Sequence, residues 1–289
     1  MLRVAIIGVG WAGERQIQAI GELNRKISVQ CIMDNDAEFL RAKAAELGIE
    51  RTYAEYSAAL NDPEVDAVSI CTPHGLHCEM ALQAIAAGKH VLVEKPIALT
   101  VEDATRMIEA AEEAGVKLYV AENLAYAPLA HFLRGIVATG EHIGELVGAS
   151  LEAGFRAPNF GYAGRRAWLT EPQHGGTGTW MLHGIHTMAQ LRYIFGEVET
   201  VYLQEHRAAS FQRPDIEGTM SGMLTLRSGL HIRILQTCEV PFDSSSGSVD
   251  IPFTATAERS APIISGMRYS AMRAMVRLPL CGTPIRSQR

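Results

Sequence analysis

The chain has no CxxC and no zinc-ligand spacing among its five cysteines, Cys31, Cys71, Cys78, Cys238 and Cys281. An odd number in so long a chain argues against a disulfide framework. Cys31 and Cys71 lie in apolar runs, where a thiol serves as a small core residue. A reducing, cytoplasmic setting is the expectation. A basic excess is also missing: 26 Lys and Arg face 32 Asp and Glu, for a net charge of -6. Non-specific nucleic-acid binding needs the opposite balance. No apolar run approaches the ~18 residues of a membrane span. The N-terminus lacks a basic stretch leading into a long apolar one, so it reads as a first strand rather than a secretory signal. His174, His183 and His186 are close in sequence, but no HExxH or third-ligand spacing accompanies them, and no metal is expected.

What is present is alternation. "RVAIIGVG", "ISVQCIMD", "VDAVSICTP", "HVLVEKP" and "VKLYVAEN" read as five strands. Between them lie "GERQIQAIGEL", "AEFLRAKAAELG", "HCEMALQAIAAGK" and "TVEDATRMIEAAEEAG", which have apolar residues at helical spacing or end on a capping glycine. Thr100 is the expected N-cap of the last helix. Strands alternating with helices imply a parallel sheet covered on both faces. Beyond Asn123 the pattern changes. "AYAPLAHFLRGIVATG" and "HGIHTMAQLRYIFG" read as helices. "GELVGASLEAGF", "ETVYLQEHRAA", "EGTMSGMLTLRSG" and "LHIRILQTCEV" read as four longer strands, with "RSGL" a hairpin candidate between the last two. The expected class is α/β: a domain over 1–123 with a parallel sheet, then an α+β domain over 124–289 with a mostly antiparallel sheet. Residues 241–289 are rich in Ser, Pro and Arg, contain no Lys and have weak periodicity. They read as a poorly ordered tail or as a truncated or out-of-frame terminus.

"GVGWAG", Gly8-Val9-Gly10-Trp11-Ala12-Gly13, follows a predicted strand and opens a predicted helix. That context makes a GxGxxG a dinucleotide signal: the glycines permit a tight turn, close approach of backbone to pyrophosphate and close helix–strand packing. Asp34 ends the second strand near the expected ~20 residues further on. A carboxylate there can bind both ribose hydroxyls and repels a 2′-phosphate, favouring NAD over NADP. Thr72 and Pro73 of "CTPHGLH" fall at the carboxyl end of the third strand, where open α/β sheets bind ligands. His77 either touches the cofactor or caps the next helix. In "EKP", Pro96 cannot continue a central strand, so Glu94 and Lys95 emerge at the same edge. A lysine beside a positively charged nicotinamide has reason to titrate low.

These pieces, with "AENLAYAP" and the glycine-rich "GGTGTWMLHGIH", resemble the Gfo/Idh/MocA oxidoreductases, the glucose–fructose oxidoreductase and inositol dehydrogenase relatives. The resemblance runs to about residue 240. It implies a Rossmann domain followed by an open-faced α/β domain whose sheet often mediates oligomer contacts, here a homodimer or homotetramer. It also implies NAD(P)-linked oxidation or reduction of a sugar, cyclitol or related hydroxy compound. The family's catalytic set is the EKP lysine plus an aspartate and a histidine spaced DxxxH. Lys95 and His186 match two members; the aspartate position is Leu182, and a second acid often found three residues after the histidine is Ala189.

The expected chemistry is hydride transfer at a hydroxyl-bearing carbon. His186 is the candidate base, because imidazole titrates near neutrality, and Lys95 is the group that polarises the oxygen. His183 either replaces the missing aspartate or is a histidine bonded to a backbone carbonyl. If the stretch is helical from Thr179, Leu182, His183 and His186 share one face. Arg165, Arg166 and Trp168 of "GRRAW" are candidates for holding a polar or anionic substrate, or belong to a solvated loop. Asn123 and Tyr126 are placed at the cofactor edge. The missing aspartate keeps a second reading open, a cofactor-binding regulator or scaffold that does no chemistry.

Overall fold

The computed structural model describes residues 1–23, 26–140, 143–154, 164–208, 216–239 and 253–255. The chain divides into two compact units, Met1–Leu124 with Phe160–His186, and Ala125–Asn159 with Thr187–Arg289. The first crossing falls between Leu124 and Ala125; the division expected from sequence was 123/124. The segment after Phe160, assigned from sequence to the second domain, instead groups with the first unit.

In the first unit six strands form one parallel sheet: β1 Leu2–Ile7, β2 Ile27–Met33, β3 Thr52–Tyr53, β4 Ala67–Ile70, β5 His90–Glu94 and β6 Leu118–Ala121. Their order is β3-β2-β1-β4-β5-β6, each pair parallel. This is the doubly wound dinucleotide-binding order, in which the crevice opens at the carboxyl ends where the order reverses. The period of two sends successive β1 residues to opposite faces. Ala5 and Ile7 join Val68, Ala81, Ile85 and Met107 in one buried cluster, while Val4 and Ile6 join Ile32 and Leu40 in another. Helices α1 Trp11–Gly21 and α2 Ala37–Leu47 pack on the latter side. α3 Tyr56–Leu60, α4 His77–Ala86 and α5 Val101–Ala114 pack on the former.

Thr100 caps α5 as expected, accepting from the Asp103 amide, and Asp36 caps α2 through the Phe39 amide. β3 and α3 were not anticipated. Two strand residues and a five-residue helix are too short to leave a period.

The second unit contains α6 Pro128–Thr139, most of α8 Ile185–Phe195, and the strands β7 Leu146–Gly154, β8 Val198–His206, β9 Thr219–Leu226, β10 His231–Thr237 and β11 Phe253–Ala255. Their order is β11-β7-β10-β9-β8, antiparallel except for β7 beside β10. The "RSGL" hairpin joins β9 to β10, with Gly229 at φ 87° in the turn. Leu151, Leu224, Leu226, Ile232 and Ile234 are buried, whereas Tyr202 and Met223 are exposed cross-strand neighbours in register with Arg233. Apart from the β11 backbone, the atypical 241–289 stretch lies outside the described residues. Among the described residues no helix is long and apolar enough to cross a membrane.

Candidate active site

The glycine turn between β1 and α1 does three separate jobs. Gly8, at φ 87°, would bring a Cβ to 2.8 Å from the Cys71 carbonyl oxygen. Gly13 would put one 2.2 Å from the Gly8 oxygen, so α1 can sit this close to β1 only without a side chain there. Gly10 differs, because a Cβ on it would meet nothing within 4 Å. No protein atom demands glycine at position 10; a side chain would project into open space. That space is a cavity of about 870 Å³ lined by Gly8, Gly10, Trp11, Ala12, Asp34 and Lys95 among others. It lies within the ~300–1,000 Å³ usual for ligand pockets. No side chain caps the N-terminus of α1, whose first amide groups and dipole favour an anion. A dinucleotide fits these residues: phosphate at the turn and ribose at the carboxylate that ends β2.

That carboxylate, Asp34, is buried and accepts from the Val9 and Asp36 amides at 3.2 and 3.1 Å. Arg165 was expected at a substrate. Its Nη2 instead lies 2.7 Å from both Asp34 oxygens, while Nη1 donates to Asp36 at 2.9 Å and the guanidinium stacks 3.9 Å above Phe39. A carboxylate is a strong partner for a planar guanidinium, through charge-assisted hydrogen bonds.

Thr72 and Pro73 line the cavity; His77 does not. Its ring is fully buried, with Nδ1 2.8 Å from the Pro96 oxygen and Nε2 3.0 Å from the Thr72 oxygen. Burial holds it below the ordinary imidazole range. The ring therefore sits between the main chain of the loop after β4 and that of the loop after β5. Its neighbour His74 was missed. His74 packs edge-on against Trp168 at 4.8 Å and lies 3.0 Å from the Gly175 oxygen. Gly75 adjoins the Gln173 carbonyl so closely that a Cβ would sit 2.2 Å away. Together they dock the "GRRAW" turn and α7 Pro172–Gly175 onto the β4 loop. Arg166 and Trp168 thereby join the cavity wall.

Lys95 and Glu122 are the residues just past the paired strand ends Glu94 and Ala121. The Lys95 ammonium donates to the Leu182 main-chain carbonyl at 2.8 Å. The position without a carboxylate thus still accepts from the lysine, through its backbone. Burial pulls the Lys95 pKa down, against the opposing pull of Glu94 and Glu122. Glu122 was also missed. Its Oε2 lies 2.6 Å from His186 Nδ1, with both side chains largely buried. Burial pushes the Glu122 carboxyl up, but His186, the Leu124 amide and Lys95 outweigh it and hold the group below the usual carboxylate range. The signal for Glu122 was its place, one residue past a strand that neighbours the lysine strand.

Trp180–Gly184 is wound as a π-turn, with the Ile185 amide reaching back five residues to the Trp180 carbonyl. Gly184 permits it, since the Trp180 ring lies where a Cβ would be, 2.8 Å away. The stretch is thus not the plain α-helix on which a shared face of Leu182, His183 and His186 was expected. His183 stays 6.3 Å from His186, ring to ring, and keeps an exposed surface. Surrounding protein, then Lys95, then His186 all oppose its protonation. His174 faces Glu171 at 3.9 Å, and among the described residues no cluster of three or more metal-ligating side chains forms. Asn123 is exposed at the end of β6, and Tyr126 belongs to the second unit and is exposed there.

Two family models match. Residues 2–122 fit the Gfo/Idh/MocA oxidoreductase family, NAD-binding Rossmann fold, and residues 132–254 fit the Gfo/Idh/MocA C-terminal domain. The chain belongs to this family. It is 32% identical over 203 residues to a 1,5-anhydro-D-fructose reductase of Ensifer adhaerens, covering 70% of this chain and 59% of that one. A D-xylose 1-dehydrogenase (NADP(+)) of Haloferax volcanii is 30% identical over 212 residues, 73% of this chain and 62% of that one. Among solved structures, the WlbA dehydrogenase of Bordetella pertussis, in complex with NADH and UDP-GlcNAcA, superposes with a TM-score of 0.78 at 28% identity. That match covers 86% of this chain and 70% of the other. The chain thus spans about 59% of the length of the first of these curated relatives.

Proposed function

We propose that the protein is an NAD-dependent oxidoreductase acting on a CH–OH group of a sugar, cyclitol or related small hydroxy compound. Family membership and the names of the relatives support the class. The observation that carries the reading is the meeting of Lys95 with the Glu122–His186 pair at the carboxyl edge of the sheet. Bound NAD would supply the hydride acceptor or donor, held by the glycine turn and Asp34.

The chain's own residues handle the proton. Ionised Glu122, whose Oε2 lies 2.6 Å from His186 Nδ1, favours a proton on that nitrogen by its charge, which leaves the Nε2 lone pair as the base for a substrate hydroxyl. This is the base–orienter arrangement by which a carboxylate fixes a histidine tautomer. Lys95, anchored on the Leu182 carbonyl, presents its remaining N–H donors to the substrate oxygen and stabilises charge developing there. Glu122 is thus a positioning residue that stands in for the aspartate absent at Leu182. His183, whose protonation the surrounding protein, Lys95 and His186 oppose, is given no proton-carrying role. Arg166 and Trp168 at the cavity wall, and Asn123, are the residues proposed to shape the substrate end. The protein is proposed to act in the cytoplasm, as a homodimer or homotetramer joined through the exposed face of the second sheet.

The test is a panel of polyols, sugars and sugar acids, read by absorbance of the reduced cofactor, with wild type, Lys95→Ala and His186→Ala compared on the substrate found. The reading expects each variant to lose ~10²-fold or more in kcat. Unchanged turnover in both sinks it. Tight NAD binding with no turnover on any substrate would favour the regulator or scaffold.

A further inference from the structure

We propose that Arg165 sets how strictly the ribose corner of this site rejects a 2′-phosphate. The inference rests on Asp34 being the ribose carboxylate, as read above. An unshielded carboxylate at the end of β2 excludes NADP by like-charge repulsion. Asp34 is not unshielded. Its side chain is only 4% exposed, and both of its oxygens lie 2.7 Å from Arg165 Nη2. The Arg165 side chain is itself 43% exposed. Two further anchors hold its guanidinium at this corner, Asp36 at 2.9 Å and the face of Phe39 at 3.9 Å. It can therefore release the Asp34 oxygens without leaving the corner. A second cation, Lys43, sits 5.8 Å from the centroid of the same Phe39 ring and pairs with Glu14.

Two consequences of opposite sign follow. The 2′- and 3′-hydroxyls of NAD must take the Asp34 oxygens from Arg165, so the arginine weakens NAD binding. A 2′-phosphate offers the guanidinium a dianionic partner with matching bidentate geometry, so the arginine strengthens NADP binding. A residue that merely walled the pocket would move both affinities together.

The experiment measures dissociation constants of NAD and NADP by titration calorimetry, with no substrate present, for wild type, Arg165→Met, Arg165→Lys and Asp34→Asn. Wild type is expected to bind NADP within about tenfold of NAD. Arg165→Met should raise the NADP constant tenfold or more while the NAD constant stays equal or falls, and Arg165→Lys should lie between. An NADP/NAD ratio that stays within twofold in Arg165→Met overturns the proposal, and so does a parallel loss of both. Should Arg165→Met fail to fold, wild type alone decides through adenosine 2′,5′-bisphosphate against 5′-AMP: comparable affinity supports the proposal, and hundredfold rejection of the bisphosphate overturns it. Asp34→Asn separates the two layers. If it leaves NAD binding unchanged, the ribose reading itself has failed; if it weakens NAD while Arg165→Met leaves the ratio alone, only the role of Arg165 has.

Discussion

Glu122 is the residue on which the proposed chemistry turns, because it replaces an acid that the helix does not carry. Glu122→Gln keeps the shape and removes the charge that fixes the His186 tautomer. We expect kcat to fall ~10²-fold with little change in KM or in folding, measured by steady-state kinetics beside a melting curve. A loss confined to KM would move Glu122 from positioning to binding. His74 carries a different prediction. An unfolded chain protonates such a ring near pH 6.5, whereas burial, then His77, then Lys95 push the folded ring down to about 3. The stability it confers is complete above pH ~6.5 and is lost as the pH falls through that window toward 3. His74→Gln should flatten the fall of the denaturation midpoint between pH 6.5 and 4; an unchanged slope would show that other groups drive it. The placement of Lys95 and Asp34 was legible from sequence because each sits at a strand end, whereas His186 was singled out by the family resemblance. Glu122 and His74 were not legible, since each acts through a partner 64 and 101 residues away respectively. One sequence does not reveal such pairings.

Among the elements, strands and helices of ordinary length left their period in the sequence and were found where expected. The π-turn did not, because five residues of altered winding inside an apolar helix look like helix. The glycine turn makes the most discriminating prediction at this scale. Gly10→Ala adds a methyl group to open space at an ordinary φ of -72°, so folding should be nearly untouched while NAD affinity drops tenfold or more. Gly13→Ala meets the Gly8 carbonyl at 2.2 Å and should cost stability first, by about 1–3 kcal/mol as overpacking does. Chemical denaturation and NAD titration on the two variants check this. Equal effects of both on stability would mean that the turn does not divide its labour in this way.

The whole molecule shows two predictions of different reach. Cys31, Cys71 and Cys238 have thiols pushed up to about 12 by burial, and Cys78 to about 11. These four thiols should resist alkylation at neutral pH until the fold opens, as measured by mass spectrometry of labelled peptides. Rapid labelling of any of them would contradict the packing. The proposed assembly rests on the exposed row containing Tyr202 and Met223. Met223→Glu should shift the mass measured by light scattering toward the monomer; no shift would exclude this face. The two-unit organisation was legible, but the grouping of Gly164–His186 with the first unit was not. A chain that crosses between units and returns leaves no composition shift at the crossings.

A π-turn is an α-helix that has accepted one additional residue. Trp180–Gly184 therefore sits a single-codon deletion away from an unbroken helix. Because the π-turn holds the additional residue within itself, such a deletion would leave the helix on its two sides close to its present register. What it would re-form is the turn that presents the Leu182 carbonyl to Lys95. The proposed active site depends on how one helical turn is wound as much as on the identity of any side chain within it.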